Sequence, residues 1–257
     1  MKNTVAVLNQ KGGVGKTTVT LGLASAAWAK GIKTLVIDMD AQANATWALG
    51  IDPSLENFGT GDALQARKEG SAAEMIVASG WGDDVWVLPG AGDLTDRETD
   101  VSKKDASTRL AKALKGVTRR FDLVLVDCAP SLGLNTVNGL AAADRALLVA
   151  EPTVFGLRGI NPALDLIERV WDEHNRKLDL AGVVLNRVPA VSVDAQDRIV
   201  ELKKMVGAKS VLKPPIPHRV LVNQAHQERS PIHTFGAKAV DLTATFDSLL
   251  RKIMLSL

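Results

Sequence analysis

Short apolar runs recur along the chain, and within them apolar and polar side chains do not alternate. The runs span residues 5–8, 34–37, 85–88, 123–126, 146–149 and 182–185. A strand that is apolar at successive positions is buried on both faces, as in the centre of a parallel sheet that helices cover. The pattern therefore predicts an α/β fold with a mainly parallel sheet.

Two stretches of the chain have the spacing of helices. Residues 16–30 carry apolar side chains at near-helical spacing and are followed by Gly31, which suits the left-handed turn after a helix. Together with the runs at 5–8 and 34–37, this helix completes a βαβ unit. Residues 241–257 place one face of a helix on Leu242, Phe246, Leu249, Leu250, Ile253 and Leu257. This second pattern predicts a terminal helix that packs on the core.

The rest of the chain gives no sign of a second domain. No Pro/Ser-rich linker interrupts it, and no repeat recurs at a fixed period. Glycines punctuate residues 52–107, where we expect surface helices and loops. We therefore predict a single doubly wound α/β domain over residues 1–257, with no helix-turn-helix before the first strand.

Composition narrows the class of protein. Hydrophobic residues make up 46% of the 257 residues, and Gly (21) and Pro (10) have ordinary abundance, which excludes disordered and collagen-like chains. The single cysteine, Cys128, excludes an internal disulfide and a Cys-rich metal site, which fits a reducing cytoplasm. No apolar stretch reaches the ~18 residues of a membrane span. Because the net charge is only +2, binding of nucleic acid would depend on local clusters of basic residues.

A glycine-rich segment follows the first apolar run. Residues 10–18 read QKGGVGKTT and open the first helix. Such a turn directs backbone N–H groups and the positive end of the helix at one point, which suits a polyphosphate. Lys16 would reach the terminal phosphates, and the Thr17 hydroxyl suits a magnesium ion that also contacts the nucleotide. The residues predicted to bind nucleotide are Lys11, Gly12, Gly13, Val14, Gly15, Lys16, Thr17 and Thr18. The usual pattern has glycine where Gln10 stands, so this loop is a deviant form with a second lysine, Lys11.

With this loop the chain resembles the ParA/MinD family of deviant Walker A ATPases, and within it the ParA-type partition ATPases. Residues 36–46 (VIDMDAQANAT) are similar to the family's second motif, which usually has Pro where Ala41 stands and Gly where Ala43 stands. Residues 123–133 (LVLVDCAPSLG) resemble its Walker B segment, and residues 216–232 resemble its nucleotide-side loop. The resemblance implies a P-loop NTPase fold, ATPase activity, and ATP and Mg²⁺ as cofactors.

Three aspartates are candidates for chemistry at the phosphates and the metal. Asp40 comes just after a buried strand, where carboxylates in sheet proteins face the ligand crevice, and Asp38 lies two residues earlier. The resemblance implies that Asp40 orients or deprotonates the attacking water and that Asp38 lies near the magnesium shell. A helix cap is the alternative role for either residue. Asp127 ends an apolar strand, and magnesium held through water, opposite Thr17, accounts for its charge better than a buried salt bridge does.

The two lysines of the loop have different predicted roles. A phosphate loop already has its lysine in Lys16, so a second one needs its own explanation. The resemblance implies that Lys11 reaches the phosphates of a neighbouring subunit, so that ATP holds two protomers face to face. We therefore expect Lys11, Lys16 and Asp40 to be the catalytic residues of an ATP-dependent homodimer.

The base side of the nucleotide site is matched less closely. Asn186 ends a late strand, where the family has an Asn that contacts adenine, although a turn residue would also fit. Pro217 matches the loop that packs along the base. His218 and Arg219 replace an Arg-Asn pair there, and Leu221 stands where many members carry Arg. The contacts with the base and with DNA are therefore expected to differ from the family pattern.

Basic residues cluster between positions 203 and 238. Against one acid, Glu228, this window has Lys203, Lys204, Lys209, Lys213, Arg219, Arg229 and Lys238. Such an excess suits the phosphate backbone of duplex DNA. The candidate DNA contacts are Lys203, Lys204, Lys213 and Arg219. Phe235 is the one aromatic residue of the window, which does not favour base stacking on single strands. An ordinary solvated face is the alternative.

The resemblance implies a partition ATPase in the cytoplasm, associated with the nucleoid. Its Mg-ATP-bound homodimer would bind non-specific double-stranded DNA, and a ParB-like activator protein would stimulate slow hydrolysis to segregate or position a plasmid, a chromosome or another cargo. The alternative is a MinD-like membrane-surface ATPase with a C-terminal amphipathic helix. Asp241 and Asp247 oppose Arg251 and Lys252 on that helix, which favours core packing and no membrane contact.

Overall fold

One sheet organises the part of the chain that the computed structural model describes, residues 3–56, 58–100 and 105–257. Its seven strands are β1 (Thr4–Leu8), β2 (Thr34–Met39), β3 (Val77–Ser79), β4 (Gly82–Leu88), β5 (Leu123–Cys128), β6 (Arg145–Ala150) and β7 (Asp179–Leu185). They lie in the order β3-β4-β2-β5-β1-β6-β7, and each neighbouring pair is parallel except β3 with β4. All six predicted runs are strands, so the prediction of a mainly parallel sheet is confirmed.

Helices cover both faces of the sheet. The α-helices are α1 (Lys16–Trp28), α2 (Asn44–Ala48), α3 (Thr60–Ala66), α4 (Leu94–Thr99), α5 (Arg109–Ala113), α6 (Leu134–Ala142), α7 (Val154–Arg158), α8 (Ile160–Glu173), α9 (Val193–Val206), α10 (Leu221–Gln227) and α11 (Val240–Ser256). Short 3-10 helices span Ser71–Glu74, Ala106–Thr108, Thr118–Arg120 and Ile232–Ala239. Helix α1 ends close to the predicted position, and Gly31 has the left-handed φ of 63° that was expected.

Each strand of the sheet centre contributes to two cores. In β1, Val5 and Val7 pack with α1 and α11, whereas Ala6 and Leu8 pack with α6 and α8 on the opposite face. Burial on both faces is the reason why these strands lack alternation of apolar and polar residues. The predicted doubly wound α/β fold is confirmed.

The last helix, α11, packs along α1. Leu242, Phe246, Leu249, Leu250 and Ile253 are each at most 2% exposed. A Cβ atom on Gly22 of α1 would overlap the atoms of the Phe246 ring. The two helices therefore approach each other closely. The predicted packing helix is confirmed, and its apolar face is covered by protein. Across the described ranges, no helix combines the length and the apolar character that crossing a bilayer requires.

The glycine-punctuated stretch 52–107 contains surface helices as predicted. It also contains strand β3, which the pattern did not indicate. Here β3 and β4 form an antiparallel hairpin at the edge of the sheet. With only three residues, β3 is too short to show a period. The expectations for residues 57 and 101–104 lie outside the described part of the chain.

The segment 210–218 continues the sheet beyond β7. The Leu212 N–H donates to the Val183 carbonyl (2.9 Å), and the Ile216 N–H donates to that of Leu185 (2.8 Å). The segment runs parallel to β7, with single bridges at Val211 and Pro217. It therefore carries Pro217 to the carboxyl end of the sheet.

Candidate active site

The loop between β1 and α1 lies at the carboxyl end of the central strand. Because β1 lies between β5 and β6, the loop opens into the crevice where open α/β sheets bind ligands. A cavity of about 500 Å³ lies over it. Six loop residues line this cavity: Gly12, Gly13, Gly15, Lys16, Thr17 and Thr18. Asp40 and Pro130 line the same cavity. The tertiary structure thus brings the phosphate loop and Asp40 together.

Gly15 lets the loop close tightly against β7. Its φ is +88°, and a Cβ atom there would lie 2.1 Å from Nδ2 of Asn186. The same Nδ2 donates to the carbonyl oxygen of Val14 at 2.9 Å, and Asn186 is only 1% exposed. Asn186 therefore supports the phosphate loop through its hydrogen bond to Val14. The contact with adenine predicted for it stays a prediction.

Lys16 and Thr17 line the cavity, and the buried Asp127 lies behind them. The Thr17 hydroxyl donates to Oδ2 of Asp127 (2.7 Å), and the Thr20 hydroxyl donates to Oδ1 (3.0 Å). Burial, followed by the nearby charge of Asp38, raises the pKa of Asp127 to about 7. Burial lowers the pKa of Lys16, although the attraction of Asp127 opposes that effect. The buried Asp127 carboxylate and the buried Lys16 ammonium therefore attract each other next to the cavity.

Asp38 and Asp40 have different surroundings. Asp38 is fully buried, and Thr46 donates both its N–H and its hydroxyl to Oδ2 (2.8 Å each). Burial raises the pKa of Asp38 to about 6. Asp40 borders the cavity, and its Oδ1 accepts the N–H of Gln42 at 3.0 Å. Asp38 thus anchors α2 beneath the cavity, whereas Asp40 faces the space above the phosphate loop. The metal role predicted for Asp38 stays a prediction.

Lys11 lies outside the cavity that Lys16 enters. Its ammonium is 5.7 Å from the centre of the Phe155 ring, and that ring is 63% exposed. Lys11, Phe155 and Arg158 border a separate, shallow cleft on the surface. The two lysines of the loop therefore face different environments.

A second cleft adjoins the phosphate cavity on the side of α10. Asn186, Pro217 and Arg219 line it, and Thr18 and Arg187 border both spaces. This cleft is small, about 60 Å³, and lies next to the phosphate cavity. The predicted residues Asn186 and Pro217 thus meet beside the loop, as a nucleotide site would need.

Several site residues were not predicted from the sequence. Arg187 donates from Nη1 to the carbonyl of Gly13 (2.6 Å) and to Glu151 (2.8 Å), so it supports the loop from the side. Its position directly after Asn186 at a strand end was the available signal. Trp47 and His226 also line the cavity. Nothing in the spacing of these two residues distinguishes them from core or surface positions.

The candidate DNA contacts do not form one cluster. Helix α9 has 14 residues and runs back from the carboxyl end of β7, so Lys203 and Lys204 in its last turn lie about 15 Å from its start. Lys213 lies on the segment beside β7. Arg219 lies at the nucleotide end, and its Nε is 2.8 Å from Oδ2 of Asp241. The structure therefore separates Arg219, already paired, from the three lysines.

The cavity fits a magnesium ion that is bound mainly through water and phosphate. The Thr17 hydroxyl and the Asp127 carboxylate present oxygen donors beside the loop. In the described ranges, no group of three or more His, Cys, Asp and Glu side chains is placed to hold a metal. Mg²⁺ commonly keeps several waters and takes one or two protein oxygens besides substrate phosphates. A cation here would also offset the repulsion between Asp38 and Asp127, which are partners across β2 and β5.

Ala43, directly before α2, has a left-handed backbone with φ of 52°. Because Cβ disfavours that region, Ala43→Gly should stabilise the protein by about 0.5–1 kcal/mol, after the greater freedom of Gly in the unfolded chain is subtracted. Urea unfolding measures the change. Ala45→Gly, two residues further on in right-handed helix, should destabilise by about 1 kcal/mol or more. A loss of stability in Ala43→Gly would show that no strain is present there.

A parallel sheet with a glycine-rich phosphate loop after its central strand, and a carboxylate at the end of the neighbouring strand, defines a P-loop nucleotide-binding protein. The family model "AAA domain" matches residues 2–180. The chain belongs to this AAA domain family, in its ParA/MinD group of deviant Walker A ATPases. The family predicted from the motifs is therefore confirmed.

Individual relatives match nearly the whole chain. Chromosome-partitioning ATPase Soj of Treponema pallidum (strain Nichols) is 29% identical over 255 residues, which cover 99% of this chain and 98% of that protein. Sporulation initiation inhibitor protein Soj of Bacillus subtilis (strain 168) is 32% identical over 240 residues, 93% of each chain. The crystal structure of cobyrinic acid a,c-diamide synthase from Mycobacterium smegmatis with bound ADP and magnesium has a TM-score of 0.78 and 29% identity, over 89% of this chain and 92% of that one.

Proposed function

We propose that this protein is a ParA-like partition ATPase, and that its Mg-ATP-bound homodimer binds DNA. One observation carries the proposal: Lys16 is 6% exposed inside the phosphate cavity, whereas Lys11 lies outside it against Phe155. One lysine is enough for the phosphates of its own subunit. A second lysine on the outer surface suits phosphates presented by a second copy of the chain. The identity to partition ATPases over nearly the whole chain supports the same function.

In this proposal ATP binds with its phosphates over residues 12–18 and its base in the cleft beside Asn186 and Pro217. Backbone N–H groups and Lys16 hold the phosphates in one position. Mg²⁺, held by Thr17 and through water by Asp127, supplies positive charge against the charge that develops on the phosphate oxygens. The M. smegmatis structure with ADP and magnesium supports this choice of ligands.

Asp40 is the proposed base for the attacking water. Its carboxylate borders the cavity, and the bond from the Gln42 N–H fixes the orientation of that carboxylate. From this position Asp40 orients the water and accepts its proton as the water oxygen attacks the terminal phosphorus, whose bond to the bridging oxygen breaks and releases ADP. We propose that turnover is slow in the isolated dimer and that a ParB-like partner protein stimulates it.

A measurement of mass tests the central claim. Light scattering should give a dimer with Mg²⁺ and a slowly hydrolysed ATP analogue, and a monomer with ADP, because ADP lacks the terminal phosphate that we place between the two subunits. A mass that stays monomeric at saturating analogue would contradict the proposal.

The DNA surface is proposed on Lys203, Lys204 and Lys213, which remain exposed or partly exposed, and not on the paired Arg219. Replacing the three lysines with Glu should abolish retention of duplex DNA by the ATP-bound dimer. Each lost phosphate contact lowers the slope of the logarithm of the DNA-binding constant against the logarithm of salt concentration by about 0.9. The six substituted lysines of a dimer should therefore lower this slope by about 5. Filter binding at two salt concentrations measures both effects.

A matched variant distinguishes the effect of this local surface on DNA binding from the effect of total charge. Lys115, Arg119 and Lys177 line a different cleft, at the amino end of the strands. Their replacement with Glu makes the same change in net charge and should leave most DNA binding intact. Equal losses in the two triple variants would mean that no specific surface lies on Lys203, Lys204 and Lys213. Vesicle binding in place of DNA binding would support a membrane-surface ATPase instead.

A further inference from the structure

An arginine from a distant part of the chain holds the far end of α2. Arg229 donates from Nε to the carbonyl oxygen of Trp47 at 2.9 Å. Its guanidinium also stacks on the Trp47 ring, 4.2 Å from the ring centre. The Trp47 ring is 47% exposed and lines the phosphate cavity. Arg229 therefore contacts both the backbone and the side chain of a residue in the wall of the nucleotide site.

Other contacts complete this end of the helix. The Trp81 indole N–H donates to the carbonyl of Ala48 (3.1 Å) and to that of Arg229 itself (2.9 Å). The Gly80 N–H donates to the carbonyl of Leu49 (2.7 Å). The last carbonyls of a helix carry partial negative charge and lack partners within the helix, so a cation and N–H donors stabilise them. Arg229 is the charged member of this set.

The start and the middle of α2 are joined to the aspartates. Thr46 of α2 binds Asp38 through its N–H and its hydroxyl, and the Ala43 N–H donates to the carbonyl of Asp40 (2.9 Å). A helix of five residues has little rigidity of its own. Its orientation, and with it the position of the Asp40 loop, therefore depends on the contacts at both ends.

Arg229 has an unfavourable backbone conformation. Its φ is 51°, in the left-handed region that favours glycine. Residues held in such a region cluster at functional sites, where the surrounding contacts maintain them. Arg229 also comes two residues after α10, whose His226 lines the same cavity. The arginine thus connects the base-side helix with the helix that follows Asp40.

We propose that Arg229 is a positioning residue for ATP hydrolysis, which acts through Trp47 and α2 to hold the Asp40 carboxylate in place. The inference rests on the proposed function, in which Asp40 acts on the attacking water. Arg229 itself does not line the phosphate cavity. Its loss should therefore slow the chemical step more than it weakens nucleotide binding.

Arg229→Gly tests this inference in the full chain. The variant removes the guanidinium and installs the residue that best tolerates φ of 51°. If the role of Arg229 were purely structural, the hydrolysis rate would be unchanged, because the substitution also relieves the backbone strain. We expect single-turnover hydrolysis of Mg-ATP to fall about tenfold or more, since a misplacement of about 1 Å can cost 10²-fold in rate. ATP affinity should change by less than about threefold, and the midpoint of thermal unfolding should not fall.

Two further variants sharpen the test. Arg229→Lys keeps a positive charge and a donor for the Trp47 carbonyl but loses the planar stack, so its rate should lie between those of wild type and Arg229→Gly. Arg176→Gly is the matched control. Arg176 stacks on Trp171 at 4.3 Å and lies before β7, at the opposite end of the sheet. Its removal should leave the hydrolysis rate unchanged.

The possible results separate this inference from the function on which it rests. If the wild-type protein hydrolyses ATP and Arg229→Gly hydrolyses it at the same rate, this inference is overturned and the proposed function is not. A rate that falls in step with ATP affinity and unfolding midpoint would also overturn it, because that result indicates general damage. A wild-type chain that binds Mg-ATP without hydrolysing it would overturn the proposed function, and this inference with it.

Discussion

Asp40→Ala is expected to keep ATP bound and to stop its hydrolysis. The Asp40 carboxylate borders the phosphate cavity but belongs neither to the phosphate loop nor to the hydrogen-bonded pair of Thr17 and Asp127. Its removal should therefore leave the phosphate contacts in place while the attacking water loses its base. A positioned base contributes about 10²–10⁴-fold, so single-turnover hydrolysis should fall by at least about 10²-fold. The ATP-bound dimer should then persist instead of dissociating.

Asp40→Asn separates the charge of this side chain from its role in the loop. The amide oxygen of Asn can still accept the Gln42 N–H, so the loop keeps its hydrogen bond, but Asn cannot take a proton from water. We expect Asn and Ala at this position to be equally inactive. Hydrolysis at the wild-type rate in Asp40→Asn would show that Asp40 supports the loop and is not the base.

Lys16→Ala and Lys11→Ala are expected to fail at different steps. Lys16 lies inside the cavity, so its loss removes a positive charge from the proposed phosphate site and a charge that attracts the buried Asp127 carboxylate. Nucleotide binding should then be lost. Lys11 lies on the outer surface, so Lys11→Ala should bind ATP almost normally and remain monomeric with Mg²⁺ and the slowly hydrolysed analogue.

Calorimetry of nucleotide binding and light scattering of mass measure the two steps independently. Lys33→Ala is a suitable control, because Lys33 directly precedes β2 at the amino end of the sheet and contacts the rings of Trp86 and Phe121. It should change neither step. Equal loss of nucleotide binding in Lys11→Ala and Lys16→Ala would contradict the separate roles of the two lysines.

The sequence by itself determined the fold class and the phosphate loop. The buried strands are visible because burial on both faces requires apolar residues at successive positions, whatever their neighbours are. The loop is visible because residues 10–18 are contiguous, so their geometry depends on local backbone preferences such as the positive φ of Gly13 and Gly15. Asp40 and Asp127 could be placed at the same edge of the sheet because parallel strands end together there.

The tertiary structure alone decided which residues support that site and which charges are free. Arg187 reaches the carbonyl of Gly13, and Arg229 reaches that of Trp47, across 174 and 182 positions of the chain. Arg219 belongs to the basic window by sequence, yet Asp241 neutralises it. Contacts of this kind have no local signature, because they depend on where α2, α10 and β7 meet after both faces of the sheet are covered. Periodicity reports the burial of a segment, whereas the partner of a polar side chain is set only when distant segments pack together.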